Sequence, residues 1–175
     1  MTTTHRFLVA LIVSAGLLAV AAPARAQLDI KSVVVKHLTT SRDFTLKVAD
    51  QMPDADYGFK LTPPQMSFAQ QMVHLAQEQP GLLAPFTNGK PASTAKPSSM
   101  NKKDVIAFVR QSFDQSIATV SKLTPAQIEK SYPGFGMPMT GLEILMFVLD
   151  HTTHHRASAE MYLRAKGITP AEYTF

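Results

Sequence analysis

The 175-residue chain has no cysteine. This removes disulfides, thiolate metal ligands, a thiol nucleophile and a lipidated N-terminal cysteine from consideration. The fold must rest on its core, and any metal site must be built from histidine and carboxylate. Charge of one sign is also scarce. The formal net charge is +4, and two of the positive charges, Arg6 and Arg25, lie in an N-terminal stretch with no acid. Without that stretch the balance is +2, too small to argue for nucleic acid or an anionic membrane as partner. Period-two alternation is missing as well: no stretch reads as a half-buried strand. These absences leave an all-α domain as the expected class.

What is present begins with a basic residue, Arg6, followed by an uncharged apolar run from Phe7 to Ala22 and by Ala24-Arg25-Ala26. That order matches a cleavable signal peptide over residues 1–26, with a small-x-small cleavage site. The apolar run is shorter than the ~20 residues a spanning helix wants. The expectation is export to the periplasm or beyond the cell, no membrane association after removal, and one domain over residues 27–175, long enough for a single core.

Helical periodicity organises that domain. Leu28 to Met52 reads as a first helix, with Val33, Val34, Leu38, Thr45, Val48 and Met52 recurring at helical spacing before Pro53 stops it. Tyr57 and Phe59 in the following connector are expected to pack back over the bundle end. Thr62-Pro63-Pro64-Gln65 offers a capping box with proline at the first helical position, so a second helix is expected from there, its stripe running through Met66, Ala69, Val73 and Gln77. Pro80-Gly81 is expected to kink this helix rather than end it, because Leu82, Leu83 and Phe86 still need burial. Residues 88–101 read as a loop. Asn101 caps a third helix with a stripe of Val105, Phe108, Val109, Phe113, Ile117 and Val120. Thr124-Pro125-Ala126-Gln127 starts one short helical turn, and residues 131–139 form a proline- and glycine-containing loop. Its Tyr132, Phe135, Met137 and Met139 suggest that it folds over something. Thr140 and Glu143 form another capping box and open the last helix, which Gly167 terminates. A four-helix bundle is the simplest architecture.

Three of the six histidines fall within His151-Thr152-Thr153-His154-His155, inside that last helix. Four residues apart, His151 and His155 share a face with Ile144, Val148, Ala159 and Tyr162 and stand roughly 6 Å apart along the axis. Two imidazoles at this spacing can share one ion. His154 lies about 100° round from His155, on a stripe with Phe147, Asp150 and Met161, and reads as a supporting or interface residue near Asp150. A catalytic metal typically takes three protein ligands and keeps a position open. His74, mid-helix on an apolar stripe, is the obvious third ligand. His37 on the first helix competes with it, although it also suits an ordinary polar face.

The segment His151-Thr152-Thr153-His154-His155-Arg156, with Tyr162-Leu163-Arg164 and Gly167-Ile168-Thr169-Pro170 behind it, resembles the C-terminal signature of the DinB-like (DinB/YfiT) metalloenzyme superfamily. Met52-Pro53-Asp54-Ala55-Asp56-Tyr57-Gly58-Phe59-Lys60 is similar to its first inter-helix segment. Ser67-Phe68-Ala69-Gln70 and His74-Leu75-Ala76 are similar to its second-helix motif. The resemblance covers nearly the whole domain in order. It implies a four-helix bundle holding a divalent metal, zinc or nickel, through His74, His151 and His155. Two departures stand out: Ala157 and Ser158 follow Arg156 where the family often has Gly and Gln, and Pro80 follows the His74 turn.

The resemblance further implies a metal-dependent hydrolase or thiol-type transferase acting on a small molecule; on that reading, Arg156 and the Tyr132–Met139 loop are expected to orient an anionic or thiol substrate. The alternative is a non-enzymatic exported protein that binds a metal or small ligand. A homodimer is compatible with either. Acid–base candidates near the ligands are Glu78, Asp150 and Glu160, since Glu143 is expected to be spent as a cap.

Overall fold

In the computed structural model, residues 29–91, 93, 95–134 and 136–174 are described. The expected signal segment over residues 1–26 lies outside them, as does Phe135. Five helices appear among the described residues: α1 (Ile30–Gln51), α2 (Phe68–Leu82), α3 (Lys102–Ser121), the single turn α4 (Pro125–Glu129) and α5 (Gly141–Ala165). No helix among them is long and apolar enough to cross a membrane.

Side chains at the helix ends explain where each helix begins. The Asp29 carboxylate accepts from the Ser32 amide and caps α1. Asn101 does the same for α3. Thr124 with Gln127 and Thr140 with Glu143 close reciprocal capping boxes on α4 and α5, as their spacing predicts. Each supplies partners for amides that a helix leaves unpaired. Gly167, at a φ of 74°, ends the last helix in a conformation that glycine adopts without strain.

The start of α2 departs from expectation. Thr62 to Gln65 forms a turn, with the Gln65 amide donating to the Thr62 carbonyl at 3.1 Å, and the helix begins at Phe68. Ser67 is its cap and Gln70 its reciprocal partner, at 3.2 and 2.8 Å. Two adjacent prolines at the earlier position withdraw two amides, whereas Ser67-Phe68-Ala69-Gln70 keeps all its donors and places Phe68 at the buried first turn. The buried stripe consequently runs through Phe68, Met72, Leu75 and Gln79, while Met66 and Gln77 are exposed. On α1, Val34 is buried and Val33 faces solvent.

α2 continues through Pro80 to Leu82, and a 3₁₀ turn, Ala84–Thr87, follows. Proline has no amide hydrogen, so the carbonyl four residues back, on Ala76, loses its helical donor. The hydroxyl of Ser112, buried on α3, donates to that carbonyl instead. The helix therefore crosses its proline with no carbonyl stranded at Ala76.

A short antiparallel ladder corrects the expectation of a strand-free chain: β1 (Ser131–Tyr132) pairs with β2 (Met139–Thr140). Two residues a side are too few for alternation to register. The ladder ties the 131–139 loop to the start of α5, and Tyr132 packs edge-on against Phe86 at 5.2 Å, while Met137 is exposed.

α1 and α2 each pack against both α3 and α5, so the four long helices close a ring in the order α1, α3, α2, α5. One core layer gathers Phe44, Met52, Phe68, Met72, Phe113 and Leu163; Tyr57 covers its end, edge-on to Phe68 at 5.2 Å, and Phe59 packs against the same layer. A second layer at the other end holds Val34, Leu38, Leu83, Val120, Leu145 and Val148. This ring order matters most for the site, because it seats α2 directly beside α5.

Candidate metal centre

The α2–α5 seam carries His74 from one side and His151 and His155 from the other. The residues on either side of them anchor the two helices: Met72, Leu75, Ile144, Val148, Ala159 and Tyr162 are all buried. The histidines stand at the edge of this core, each half-buried. Ring centroids lie 4.5 Å apart for His74 and His155, 4.4 Å for His151 and His155, and 5.5 Å for His74 and His151. One ligand nitrogen from each ring lies within 4.8 Å of the other two. Among the described residues no carboxylate joins this group.

The electrostatics favour neutral rings. Burial lowers the pKa of His155 to about 4, with the neighbouring His151, His74 and His154 pushing the same way. Burial also lowers His151, assisted by His74 and opposed by Glu78. A neutral imidazole keeps a lone pair for a cation, and three rings this close cannot all be protonated without mutual repulsion. His151 Nδ1 is buried and has no hydrogen-bond partner. An unpaired buried polar atom is costly, and a cation drawn into the cluster would change that environment. The donor set, three imidazole nitrogens without thiolate or carboxylate, could hold a divalent ion.

Among the described residues, two polar side chains of α2 approach the rings from outside the cluster. Gln71 on α2 reaches His155, its Nε2 lying 2.7 Å from the ring Nδ1. Glu78, one turn beyond His74, places Oε1 3.8 Å from His74 Nδ1. The first escaped the sequence reading, although Gln71, His74 and Glu78 lie at i, i+3 and i+7 on one helix face, which is the spacing that shows it. The second is the carboxylate of the three sequence candidates that reaches the rings. Asp150 is exposed. Glu160 lies about 140° round α5 from His155; burial raises its pKa while Arg156 and Arg164 pull it back. Glu143 is engaged as the cap of α5, bonded to the Thr140 amide at 2.6 Å.

The other sequence candidates separate cleanly. His154 is exposed, its ring 4.9 Å from that of His155, and lies outside the three-ring group. His37, on α1, is also outside it. Arg156 corrects an expectation: it is 3% exposed and turned towards α1, where its guanidinium donates to Ser41 Oγ at 2.6 Å and lies 4.7 Å from the centre of the Phe44 ring. A side chain consumed by the core in this way does not reach a substrate at the histidines. Of the Tyr132–Met139 loop, the ladder ties Tyr132 and Met139 at the start of α5, roughly 16 Å along the axis from His151, and Tyr132 packs against Phe86.

Beside His155 opens a cleft of about 340 Å³. Leu61, Met66 and Met161 line it together with the polar side chains of Gln65, Gln71, His154, His155, Ser158 and Tyr162. Among the described residues, neither a carboxylate nor a lysine or arginine lines it.

Comparison with known proteins gives one family and its fold. The DinB family model matches residues 26–175. The chain is 20% identical over 139 residues to the uncharacterised protein YjoA of Bacillus subtilis, covering 78% of this chain and 90% of that one. The crystal structure of YjoA, described as a DinB-like protein, aligns with a TM-score of 0.69 over 81% of this chain and 96% of its own, at 20% identity. A DinB-like protein from Bacillus cereus aligns with a TM-score of 0.72 over 82% and 97%, at 19% identity. At such identities these structures speak for the fold.

Proposed function

The chain belongs to the DinB family, and from that premise we propose that it binds one divalent cation through His74, His151 and His155 after export from the cytoplasm. The observation that carries this reading is the convergence of three ring nitrogens from two helices within 4.8 Å. Neutral ligands leave the full charge of the ion uncompensated, so a bound zinc or nickel would lower the pKa of a water or thiol at its open position. The reaction class proposed is metal-dependent hydrolysis or thiol-type transfer on a small molecule.

The chain's own residues would act as follows. His151 and His155 hold their lone pairs free because their burial disfavours protonation. Glu78, with 42% of its side chain exposed and its carboxylate 3.8 Å from His74 Nδ1, is the acid–base candidate at the rim. The cleft beside His155, lined by apolar side chains and by amide and hydroxyl groups, suits an uncharged portion of the substrate that can also hydrogen-bond.

A non-enzymatic reading, in which the protein stores or senses a metal or small ligand, draws support from the scarcity of acid–base groups: among the described residues Glu78 is the one carboxylate beside the rings. The two readings part on one experiment. The zinc-loaded and nickel-loaded protein is assayed against activated esters and thiol conjugates, alongside Glu78→Gln. Turnover that falls at least about tenfold in the variant, with the metal retained, supports the enzyme. Stoichiometric metal without turnover on any substrate of the panel favours the binding protein.

A further inference from the structure

We infer that Gln71 is a positioning residue that decides which nitrogen of His155 faces the cation. The inference rests on the three-histidine reading above. Gln71 is 7% exposed and spans from α2 to α5, its amide nitrogen 2.7 Å from His155 Nδ1 and 3.5 Å from the His155 carbonyl oxygen. A contact this short occupies Nδ1 with a side chain, and Nε2 is the atom left for an ion.

The chemistry of imidazole then constrains the amide. A neutral ring has one N–H and one lone pair. With Gln71 donating to Nδ1, as the contact stands, the ring proton is on Nε2, the tautomer that offers a cation nothing there. A cation at Nε2 requires the proton on Nδ1, where it needs an acceptor. The glutamine supplies one by turning its amide through about 180°, presenting Oε1 in place of Nε2. In the balanced step the Nε2 proton leaves to solvent and Nδ1 takes one up, so the ring stays neutral and the exchange releases no net proton. A leucine could not serve either tautomer. A glutamate could accept from Nδ1–H but could not donate to the metal-free ring. Glutamine serves both states.

His74 offers a looser parallel. Its Nδ1 lies 3.8 Å from Glu78 Oε1, beyond hydrogen-bond length, so the carboxylate would have to close in before it could hold that ring as Gln71 holds His155. Polar side chains that fix a ligand ring from its far side typically contribute 10- to 100-fold to metal affinity.

The test is zinc affinity of the full-length protein by competition with a chromophoric chelator, for wild type, Gln71→Leu, Gln71→Glu and His151→Ala. It is joined to long-range ¹H–¹⁵N correlation of the His155 ring in the wild type, with and without zinc. The expected result is a loss of about 10- to 100-fold in Gln71→Leu, recovery of most of it in Gln71→Glu, and a ring proton that moves from Nε2 to Nδ1 on loading. Wild-type affinity in Gln71→Leu beside a large loss in His151→Ala would overturn the role of Gln71 alone. A loaded ring protonated at Nε2 would overturn it too, even were the leucine variant too unstable to titrate. Unchanged affinity in His151→Ala would overturn the metal reading and this inference together.

Discussion

His155 meets two demands: it is held against the core, and it stands close to two neighbouring rings with which it would share the proposed ion. Both demands lower its affinity for a proton, to a pKa of about 4. An unfolded histidine titrates near 6.5. As pH falls below 6.5 the unfolded chain takes up a proton that the folded ring refuses, so this contribution to stability is complete above about 6.5 and is lost progressively towards 4. The melting temperature of the metal-free protein is therefore expected to drop between pH 7 and pH 5, and His155→Gln should flatten that drop; equal slopes for the two proteins would count against the assignment. Arg156, its sequence neighbour, belongs to a different piece of physics. With its guanidinium on Ser41 and over Phe44, Arg156→Ala should cost about 1–3 kcal/mol of stability through lost packing and hydrogen bonding and leave zinc affinity where it was. Denaturant unfolding and chelator competition on the same sample check both halves.

Among the elements, α2 is held by a compensation that only the folded chain displays. Pro80 removes a donor and Ser112 replaces it at the Ala76 carbonyl. Ser112→Ala should destabilise the protein by about 1–3 kcal/mol, the cost of a buried carbonyl without a partner. The same change in a Pro80→Ala background should cost less, because the restored amide can bond to Ala76; a double-mutant cycle with no coupling would refute the pairing. The junction of α4 and α5 is tighter still. A Cβ on Gly141 would sit 2.3 Å from the Gln127 carbonyl oxygen and 2.8 Å from the Ile128 Cα. Both are backbone atoms, so α4 would have to shift, and Gly141→Ala should lower stability by about 1–3 kcal/mol in denaturant unfolding. Neither contact was legible in the sequence. Capping boxes and helical stripes are local patterns, and they revealed α3, α4 and α5 nearly to the residue; the acceptor of the Ser112 hydroxyl and the neighbour of Gly141 depend on which helices touch. The misplaced start of α2 has a local cause, since two capping boxes compete within a few residues and the proline pair made the wrong one look stronger.

At the scale of the molecule, the ring order α1, α3, α2, α5 turns a sequence separation of some eighty residues into a shared site. Periodicity identified the helices and the apolar faces, and hence a bundle, and the i, i+4 spacing of His151 and His155 was visible at once. His74 stands ahead of His37 as their companion by its place on an apolar stripe, and the family resemblance points to the same residue; that α2 and not α1 presents its histidine to that part of α5 is settled only by how the helices pack. Gln71 was passed over for a similar reason: an amide among apolar residues becomes informative once the ring it reaches is known. A bound ion would join α2 to α5 and stabilise the folded chain, by about 2.7 kcal/mol at a free concentration a hundredfold above its dissociation constant. The most direct measurement is the metal content of wild type and His151→Ala after equilibrium dialysis against zinc, read by elemental analysis. The account predicts about one ion per wild-type chain and a small fraction of that in the variant; a wild-type protein without stoichiometric zinc, or a variant that retains it in full, would contradict it.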